Sequence, residues 1–291
     1  VFRCGPQVGH KSTANHWQPP NHNETMATAI LTGSTGAIGE SIALGLAASG
    51  RFGTLVLPCR APAKGAALVQ RIKAKHPSVS VEVMTLDLNS KASVTAFASD
   101  VTRAHPKIAV LVNNAAIVPK TRETSEDGIE KQFAVNVLSY FLLMMSLKDA
   151  LSPGGRIVNV ASNYAGGLNL SDYDFVRRQY DETSAYKASK QADRMLTAKA
   201  AEEFRALNIT VNACHPGVVT SPLLKGLGMS SGFDSSAKAA ETPVFLATSD
   251  SVSATTGTYF VDQRPTSCAF SQDRAGCNEL WALCSRLSGL Q

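Results

Sequence analysis

The stretch that decides the fold is Thr32-Gly33-Ser34-Thr35-Gly36-Ala37-Ile38-Gly39. It follows the short apolar run Thr28–Thr32 and leads into Ile38–Ser49, which has helical spacing. Glycines between a strand and a helix allow a tight turn and let the backbone approach a pyrophosphate closely. The helix N-terminus adds free N–H groups and the positive end of the helix dipole. Because glycine-rich stretches also occur as ordinary turns, the strand-to-helix context is what favours dinucleotide binding.

Beyond this loop, short apolar segments alternate with segments of helical spacing. The strand candidates are Thr54–Pro58, Val79–Leu86, Ile108–Val112, Arg156–Val160, Ile209–Ala213 and Thr258–Val261. The helix candidates are Ala63–Lys75, Ser93–Arg103, Ile129–Leu147, Tyr186–Leu207, Pro243–Thr248 and Glu279–Leu287. Nearly all-apolar strands between helices predict a parallel sheet that is covered on both faces. The predicted fold class is therefore α/β, a single-domain Rossmann fold with a doubly wound parallel sheet over residues 26–291.

Residues 1–25 differ from the rest of the chain. They hold no acidic residue before Glu24 and three of the six histidines. We expect an unstructured or processed N-terminal extension. A targeting peptide is the alternative, since such peptides are poor in acidic residues. A cytoplasmic location is expected, with organelle targeting left open.

Composition excludes several classes of protein. The chain has 291 residues, of which 44% are hydrophobic and 18% charged, with a net charge of +5. This balance excludes a disordered chain, and no basic run is dense enough for a nucleic-acid partner. Six cysteines without a CxxC pair argue against a disulfide framework, and no metal site is expected. The longest apolar stretch, Val137–Leu147, is too short to span a bilayer. The composition leaves open whether the chain forms a homodimer.

The ends of the second, third and fourth strands carry candidate contacts to the dinucleotide, and the end of the second strand predicts which dinucleotide binds. In this fold an acidic residue after the second strand binds the ribose 2′-hydroxyl of NAD, but here Arg60 follows Cys59. Arg60 can pair with a 2′-phosphate, so NADP(H) is predicted; a solvated loop charge is the alternative. Asp87 can accept a hydrogen bond from the adenine amino group or cap the next helix. The small residues of Asn113-Asn114-Ala115-Ala116 admit the cofactor or form an Asn-rich turn.

The candidate catalytic residues centre on Tyr186-Lys187-Ala188-Ser189-Lys190. Tyr186 and Lys190 share one helix face, and a nearby ammonium lowers the pKa of a phenol from its usual value of about 10. Ser162 follows a strand at the carboxyl edge of the sheet, where it can hold a substrate carbonyl or simply form a turn. Asn136 lies in an apolar helical stretch, where it can order a water beside the lysine or satisfy backbone groups in the core.

Together with Pro216-Gly217, these motifs resemble the short-chain dehydrogenase/reductase family over about residues 27–262. The resemblance implies a tetrad in which Tyr186 is the acid/base and Lys190 also binds the nicotinamide ribose. In it Ser162 orients the carbonyl, and Asn136 supports a proton relay. The motifs and the family resemblance together give the expected cofactor-binding residues, which are Gly33, Ser34, Thr35, Gly36, Ala37, Ile38, Gly39, Arg60, Asp87, Leu88, Asn114, Ala115, Ala116, Tyr186, Lys190, Pro216, Gly217, Val219 and Thr220.

Two positions depart from the family pattern. The usual loop, TGxxxGxG, would place glycine at Ala37, whereas TGxxGxxG is typical of the extended branch that modifies sugar nucleotides. Those enzymes usually have a larger C-terminal substrate domain, so we favour this alternative less. In the PGxxxT motif Thr220 comes one residue early and Ser221 takes its place, which leaves open which hydroxyl contacts the nicotinamide amide.

Further similarity points to the retinol dehydrogenase-like group. It is carried by Pro58-Cys59-Arg60, Arg156–Ser162, His215–Val219 and the long segment 163–185. The group implies NADP(H)-dependent chemistry on lipophilic alcohols and carbonyls. Its membrane-bound members have an N-terminal anchor that we do not find here, so the reaction class is carried over without retinoid specificity.

Substrate contacts are expected from two loops, 163–185 and Leu223–Phe233, because loops on a rigid sheet carry specificity. Leucines and Met229 in the second loop fit an apolar substrate, or packing on the protein or a second subunit. A nucleophilic pair of Cys214 and His215 is not expected, because adjacent strand residues face opposite ways. Cys214 is predicted in the core and His215 in a loop. The predicted function is an NADP(H)-dependent oxidoreductase that interconverts a carbonyl and an alcohol. The alternative is a non-catalytic NADP(H)-sensing protein on the same fold.

Overall fold

A computed structural model describes residues 27–290, so the predicted extension 1–25 and Met26 lie outside the described residues. The strands are β1 (Thr28–Leu31), β2 (Thr54–Val56), β3 (Ser80–Glu82), β4 (Ile108–Asn113), β5 (Leu151–Val160), β6 (Thr210–His215), β7 (Tyr259–Val261) and β8 (Arg264–Thr266). The first helices are α1 (Ala37–Ala48), α2 (Ala66–Lys75), α3 (Lys91–Ala104), α4 (Lys131–Phe133) and α5 (Ser139–Leu147). The later helices are α6 (Glu182–Glu203), α7 (Pro222–Gly226), α8 (Ser236–Thr248), α9 (Ala269–Gln272) and α10 (Arg274–Ser288).

The described strands form one sheet in the order β3-β2-β1-β4-β5-β6-β7-β8. All neighbouring pairs are parallel except β7 and β8, which are antiparallel. The chain crosses from β1 to one side for β2 and β3 and to the other side for β4 onward. The strand order therefore reverses between β1 and β4, and such a switch point is where doubly wound sheets bind ligands. The predicted Rossmann fold is confirmed.

Both faces of the sheet are covered, as the apolar strands predict. Side chains of α1, α2 and α8 build one core with β1, represented by Ile42, Ile72 and Leu246. The other core takes Phe141 of α5 together with side chains of α3, α6 and α10. Burying both faces explains why the central strands are continuous apolar runs rather than alternating ones.

Several element boundaries differ from the prediction for local reasons. Only Ser80–Glu82 of the predicted strand Val79–Leu86 pairs as a strand, and Thr85 adds one isolated bridge to Cys59. Helix α6 begins four residues before Tyr186 because the side chain of Asp181 accepts hydrogen bonds from Thr183 N and Ser184 N. Between α4 and α5 the chain makes one stretch of π-helix, Ala134–Leu138.

None of the helices between residues 27 and 290 is both long enough and apolar enough to cross a membrane.

Candidate active site

A cleft of about 870 Å³ lies along the carboxyl edge of the parallel strands. This volume lies within the range of small-molecule binding sites. Most of the predicted site residues line it: Gly33, residues 35–39, Arg60, Asp87, Leu88, residues 114–116, Ser162, Tyr186, Lys190, Pro216, Gly217 and Val219. Residues from six loops thus meet in one place, as the position of the switch point requires.

Three predicted site residues do not line the cleft. Ser34 is buried beneath the glycine-rich loop, and Asn136 is fully buried behind the wall of the cleft. Thr220 points elsewhere, since its Oγ1 accepts a hydrogen bond from Gly232 N at 2.9 Å. Its neighbour Ser221 does line the cleft while its Oγ caps α7 by accepting from Leu224 N at 3.1 Å. The structure therefore places the hydroxyl at 221, rather than the one predicted at 220, beside the cleft.

Two positions of the glycine-rich loop, Gly33 and Gly39, leave no room for a side chain. Gly33 has φ +67°, and a Cβ there would lie 2.8 Å from Ala115 Cα. A Cβ at Gly39 would clash with the carbonyl oxygen of Gly33. Gly36 is the N-cap of α1 and supplies no side-chain hydrogen bond to the helix. The first N–H groups of α1 therefore remain available at the cleft wall, which fits a bound phosphate group.

Asn114 ties the end of β4 to this loop. Its Nδ2 donates to Thr32 O at 3.0 Å, and its backbone N donates to Thr32 Oγ1 at 2.9 Å. Ala115 N donates to the same hydroxyl at 3.1 Å. The Asn-rich segment is thus a brace that fixes the glycine-rich loop, while its small alanines line the cleft.

Arg60 and Asp87 lie at the end of the cleft formed by β2 and β3. Arg60 is exposed, and among residues 27–290 no carboxylate forms an ion pair with it. Asp87 Oδ1 accepts from Asn89 N at 3.0 Å, whereas the N-cap position of α3 belongs to Ser90. Asp87 therefore forms a turn rather than a helix cap, and its carboxylate remains on the cleft wall.

Tyr186 and Ser162 face each other where β5 meets α6. Tyr186 is 7% exposed, and burial raises its pKa. The charge of Lys190 and a hydrogen bond with Ser162 oppose that rise. The net lowering expected from the sequence is therefore not seen, because burial of the phenol outweighs the ammonium. Ser162 Oγ accepts from Tyr164 N at 3.0 Å, which leaves its hydroxyl hydrogen available to donate.

Lys190 lies beneath Tyr186 and is fully enclosed. Its Nζ is 5.9 Å from the centroid of the Tyr186 ring and donates to Val160 O at 2.9 Å. A third partner is the carboxylate of Asp193, 2.8 Å away. Burial is the largest single influence on the pKa of Lys190 and lowers it, but the charge and hydrogen bond of Asp193, together with Tyr140 and Tyr186, outweigh burial and raise it overall. Lys190 is therefore a fixed ammonium.

Asn136 makes its direct hydrogen bonds to the backbone of Ile117 and to Ser189. Its Oδ1 accepts from Ile117 N at 2.9 Å, and its Nδ2 donates to Ile117 O at 3.1 Å. A further bond from Nδ2 to Ser189 Oγ, at 3.2 Å, joins this pair to α6. The π-helical turn places Asn136 at this junction, as such turns often do near functional sites. Of the two alternatives from the sequence, satisfying backbone groups is the one the described contacts display.

Sequence reasoning placed His215 in a loop, and this was wrong. Strand β6 continues two residues past the predicted end, so His215 pairs with Val261 and its side chain lines the cleft. Its Nδ1 accepts from Asn163 N at 3.3 Å, and burial lowers its pKa. Cys214, which precedes it, is buried in the core as predicted.

The loop Leu223–Phe233 supplies a mainly apolar wall, with Leu223, Leu224, Leu227 and Met229 all lining the cleft. Phe233 also lines it while 89% exposed. In the segment 163–185, only Asn163 and Tyr164 line the cleft. The rest packs elsewhere, as the Tyr173 ring does on Phe133 at 4.7 Å between centroids. Of the segment 163–185, only its first two residues are therefore placed where they could contact a substrate.

Arg194 was not predicted as a site residue, because a charged residue on a long helix usually faces solvent. It is buried, donates to Ser162 O and to Tyr259 Oη, and stacks 3.8 Å from the Tyr259 ring centroid. Tyr259 Oη donates in turn to Asn163 Oδ1 at 2.8 Å. This network fixes the backbone that carries Ser162.

Comparison with known proteins agrees with this fold. Retinol dehydrogenase 13 of Mus musculus is 33% identical over 282 residues, covering 90% of this chain and 84% of that protein. A crystal structure of a protein from Mycobacterium Paratuberculosis superposes with a TM-score of 0.76 at 26% identity, covering 91% of this chain and 94% of that one. A short chain dehydrogenase from Burkholderia cenocepacia J2315, solved in complex with NADP, has a TM-score of 0.65. It is 23% identical and covers 81% of this chain and 97% of that one.

The family model described as short chain dehydrogenase matches residues 27–230. This range contains the glycine-rich loop, Ser162, Tyr186 and Lys190. The chain therefore belongs to the short-chain dehydrogenase/reductase family of oxidoreductases, in its retinol dehydrogenase-like group.

Proposed function

We propose that this protein is an NADP(H)-dependent oxidoreductase that interconverts a carbonyl and an alcohol on a lipophilic substrate. One observation carries the proposal. A single cleft joins the uncapped N-terminus of α1, which suits a phosphate, to the buried group of Ser162, Tyr186 and Lys190. We further propose that residues 26–291 act as one domain, with residues 1–25 as an extension.

In this proposal the phosphates lie on the backbone of residues 33–39, where glycines let the chain approach closely. Arg60 pairs with the 2′-phosphate and Asp87 accepts from the adenine amino group. Ala115 and Ala116 leave space for the cofactor in the middle of the cleft. Pro216, Gly217 and Val219 would flank the nicotinamide, and Ser221, which lines the same end of the cleft, would offer a hydroxyl to it.

The chemistry follows from the three buried groups. When bound, NADPH would supply the hydride that adds to the carbonyl carbon. Tyr186 Oη donates its proton to the carbonyl oxygen, and the Ser162 hydroxyl donates a hydrogen bond to the same oxygen. Lys190 stabilises the phenolate that remains on Tyr186 and, by family resemblance, holds the nicotinamide ribose. In alcohol oxidation the same groups work in reverse, with Tyr186 accepting the proton.

Asn136 supports this arrangement indirectly. By holding both backbone groups of Ile117 it fixes the cleft wall opposite α6. Its bond to Ser189 joins that wall to the helix that carries Tyr186 and Lys190. We propose that its contribution to the family's proton relay is to keep these elements in register.

The substrate end of the cleft supports a lipophilic substrate. Leucines 223, 224 and 227 and Met229 present apolar surface there, and Phe233 stands exposed at the mouth. Burial of an apolar substrate tail against this wall contributes about 25 cal/mol per Å² of area removed from water.

Replacing Arg60 with Ala should weaken NADPH binding and leave NADH binding unchanged. Loss of a hydrogen bond to a charged group costs about 1.5–3 kcal/mol, which is roughly a tenfold to hundredfold loss of affinity. The measurement is a fluorescence titration with each cofactor. Lys64→Ala, which removes an exposed charge outside the cleft lining, is the matched control. Equal weakening of both cofactors would contradict the assignment of Arg60.

The function itself is tested by following NADPH oxidation with a panel of aldehydes and ketones of increasing chain length. We expect carbonyl-dependent oxidation of NADPH whose kcat/KM rises with the length of the apolar tail. Tight NADPH binding with no turnover on any member would support a sensing protein instead.

A further inference from the structure

Lys190 has a buried partner that the proposed mechanism does not use. Asp193 lies one turn further along α6, with its Oδ2 2.8 Å from Lys190 Nζ. The side chain of Lys190 is 2% exposed and that of Asp193 is 0% exposed. Within residues 27–290 the second carboxylate oxygen, Oδ1, has no hydrogen-bond partner. Burying a carboxylate costs free energy, and pairing it with a buried ammonium does little more than offset that cost. Stability alone therefore does not explain why Asp193 is paired with Lys190.

The surroundings of the pair contain few other charges. The titratable groups that face Lys190 or Asp193 come from α5, α6, β6 and α10 and are Tyr140, Tyr186, Arg194, Cys214 and Cys284. Burial raises the pKa of Tyr140, Cys214 and Cys284, so these three groups stay neutral. Burial also raises the pKa of Asp193 to about 6, against the opposing charge of Lys190. Contact with the Lys190 ammonium at 2.8 Å favours the ionised form of this carboxylate.

The pairing with Asp193 changes the electrostatic effect of Lys190 on the phenol of Tyr186. An isolated ammonium stabilises a nearby phenolate strongly in a low-dielectric site. An ammonium in contact with a carboxylate acts as a dipole, so its effect on a third group is weaker. Lys190 Nζ lies 5.9 Å from the Tyr186 ring, close enough for this difference to matter.

We propose that Asp193 is a positioning residue for the reaction, which holds Lys190 in place and offsets its charge so that Tyr186 keeps its proton to higher pH. The inference rests on the proposed function of Tyr186 as the acid/base. Its consequence is a preference of the site for carbonyl reduction at neutral pH, because reduction requires the protonated form of Tyr186 whereas oxidation requires the phenolate.

Asp193→Asn tests this, because asparagine has nearly the same volume and its amide oxygen can still accept from Lys190 Nζ. The full chain is assayed for alcohol oxidation with saturating NADP⁺ across the pH range. We expect the midpoint of the rise in kcat/KM to move to lower pH by about one unit, with roughly tenfold faster oxidation below the midpoint. Asp193→Glu, which keeps the charge, should restore the midpoint toward that of the wild type.

The control is Asp172→Asn, which removes another buried carboxylate, paired with Arg178 and outside the cleft lining. It should leave the midpoint unchanged. An unchanged midpoint in a folded Asp193→Asn protein would overturn the proposal and leave Asp193 a purely structural role. If Asp193→Asn does not fold, Asp193→Ser, which leaves room for a water, is judged by the same criterion.

A second readout separates this inference from the proposed function. The ultraviolet absorbance of tyrosinate is titrated without substrate, and the signal of Tyr186 is obtained by subtracting the titration of a matched Tyr186→Phe protein. The difference is measured first between wild type and Tyr186→Phe. It is then measured between Asp193→Asn and the double variant Asp193→Asn/Tyr186→Phe. The substitution Asp193→Asn should lower the Tyr186 midpoint even if no turnover is found. Absent turnover with a shifted midpoint overturns the proposed function alone, whereas an unshifted midpoint overturns the role of Asp193.

Discussion

Tyr186→Phe is expected to abolish carbonyl reduction, with kcat falling by a factor of about 100 to 10,000. Phenylalanine keeps the buried ring, which is 7% exposed in the native residue, but it has no proton to give to the carbonyl oxygen. Ser162 can still donate a hydrogen bond, so the loss measures proton transfer rather than substrate orientation. NADPH affinity should stay nearly the same, because the ring and Lys190 remain. Steady-state kinetics and a fluorescence titration with NADPH measure the two effects separately.

Tyr173→Phe is the matched control. Tyr173 packs on Phe133 outside the cleft lining, and among the described residues its hydroxyl makes no hydrogen bond. Its replacement should leave kcat within about twofold, as surface-type changes away from the site do. If Tyr186→Phe retained as much activity as this control, another group would have to be the proton donor.

Lys190→Met should destabilise the protein by about 3–5 kcal/mol, because it leaves the Asp193 carboxylate buried without its partner. The loss should depend on pH. In the variant, burial keeps the folded pKa of Asp193 above the unfolded value of about 3.9. The folded chain then binds a proton that the unfolded chain releases, so stability is present at low pH and is lost as pH rises through the folded pKa. Urea denaturation should therefore show a smaller loss near about pH 5 than near about pH 8.

The double variant Lys190→Met/Asp193→Leu is the control for this effect. Removing both charges leaves no unpaired group, and replacing a buried ion pair by apolar side chains is often close to neutral. Most of the lost stability should return, and its pH dependence should disappear. Equal instability of the single and double variants at both pH values would mean that packing around Lys190, rather than the unpaired carboxylate, sets the cost.

The fold could be predicted because its central strands carry an unambiguous pattern. β1 and β4 are buried on both faces and are apolar throughout except for Thr28 at the start of β1 and Asn113 at the end of β4. β8 could not be predicted, since Arg264–Thr266 is an exposed edge strand with no apolar face. Its hairpin turns through Asp262 and Gln263, both at positive φ, without the glycine that usually marks such turns.

The candidate site divides in the same way. Tyr186 and Lys190 were predictable because the i, i+4 spacing of a helix brings them together whatever surrounds it. Asp193 and Arg194 were not, because charged residues on a helix usually face solvent. Only packing of α6 against its neighbours makes them interior groups, and this depends on contacts between distant parts of the chain.

The most direct test of the account follows the hydride itself. NADPH is prepared with deuterium at the transferring carbon of the nicotinamide, on one face in one sample and on the other face in a second. Each sample is incubated with the best carbonyl of the panel, and the alcohol is analysed by mass spectrometry. The account predicts one deuterium on the carbinol carbon with wild-type protein, and a yield of labelled alcohol lower by a factor of about 100 to 10,000 in the same time with Tyr186→Phe. Alcohol formed without deuterium from either labelled face, or protein that binds NADPH and never forms alcohol, would contradict it.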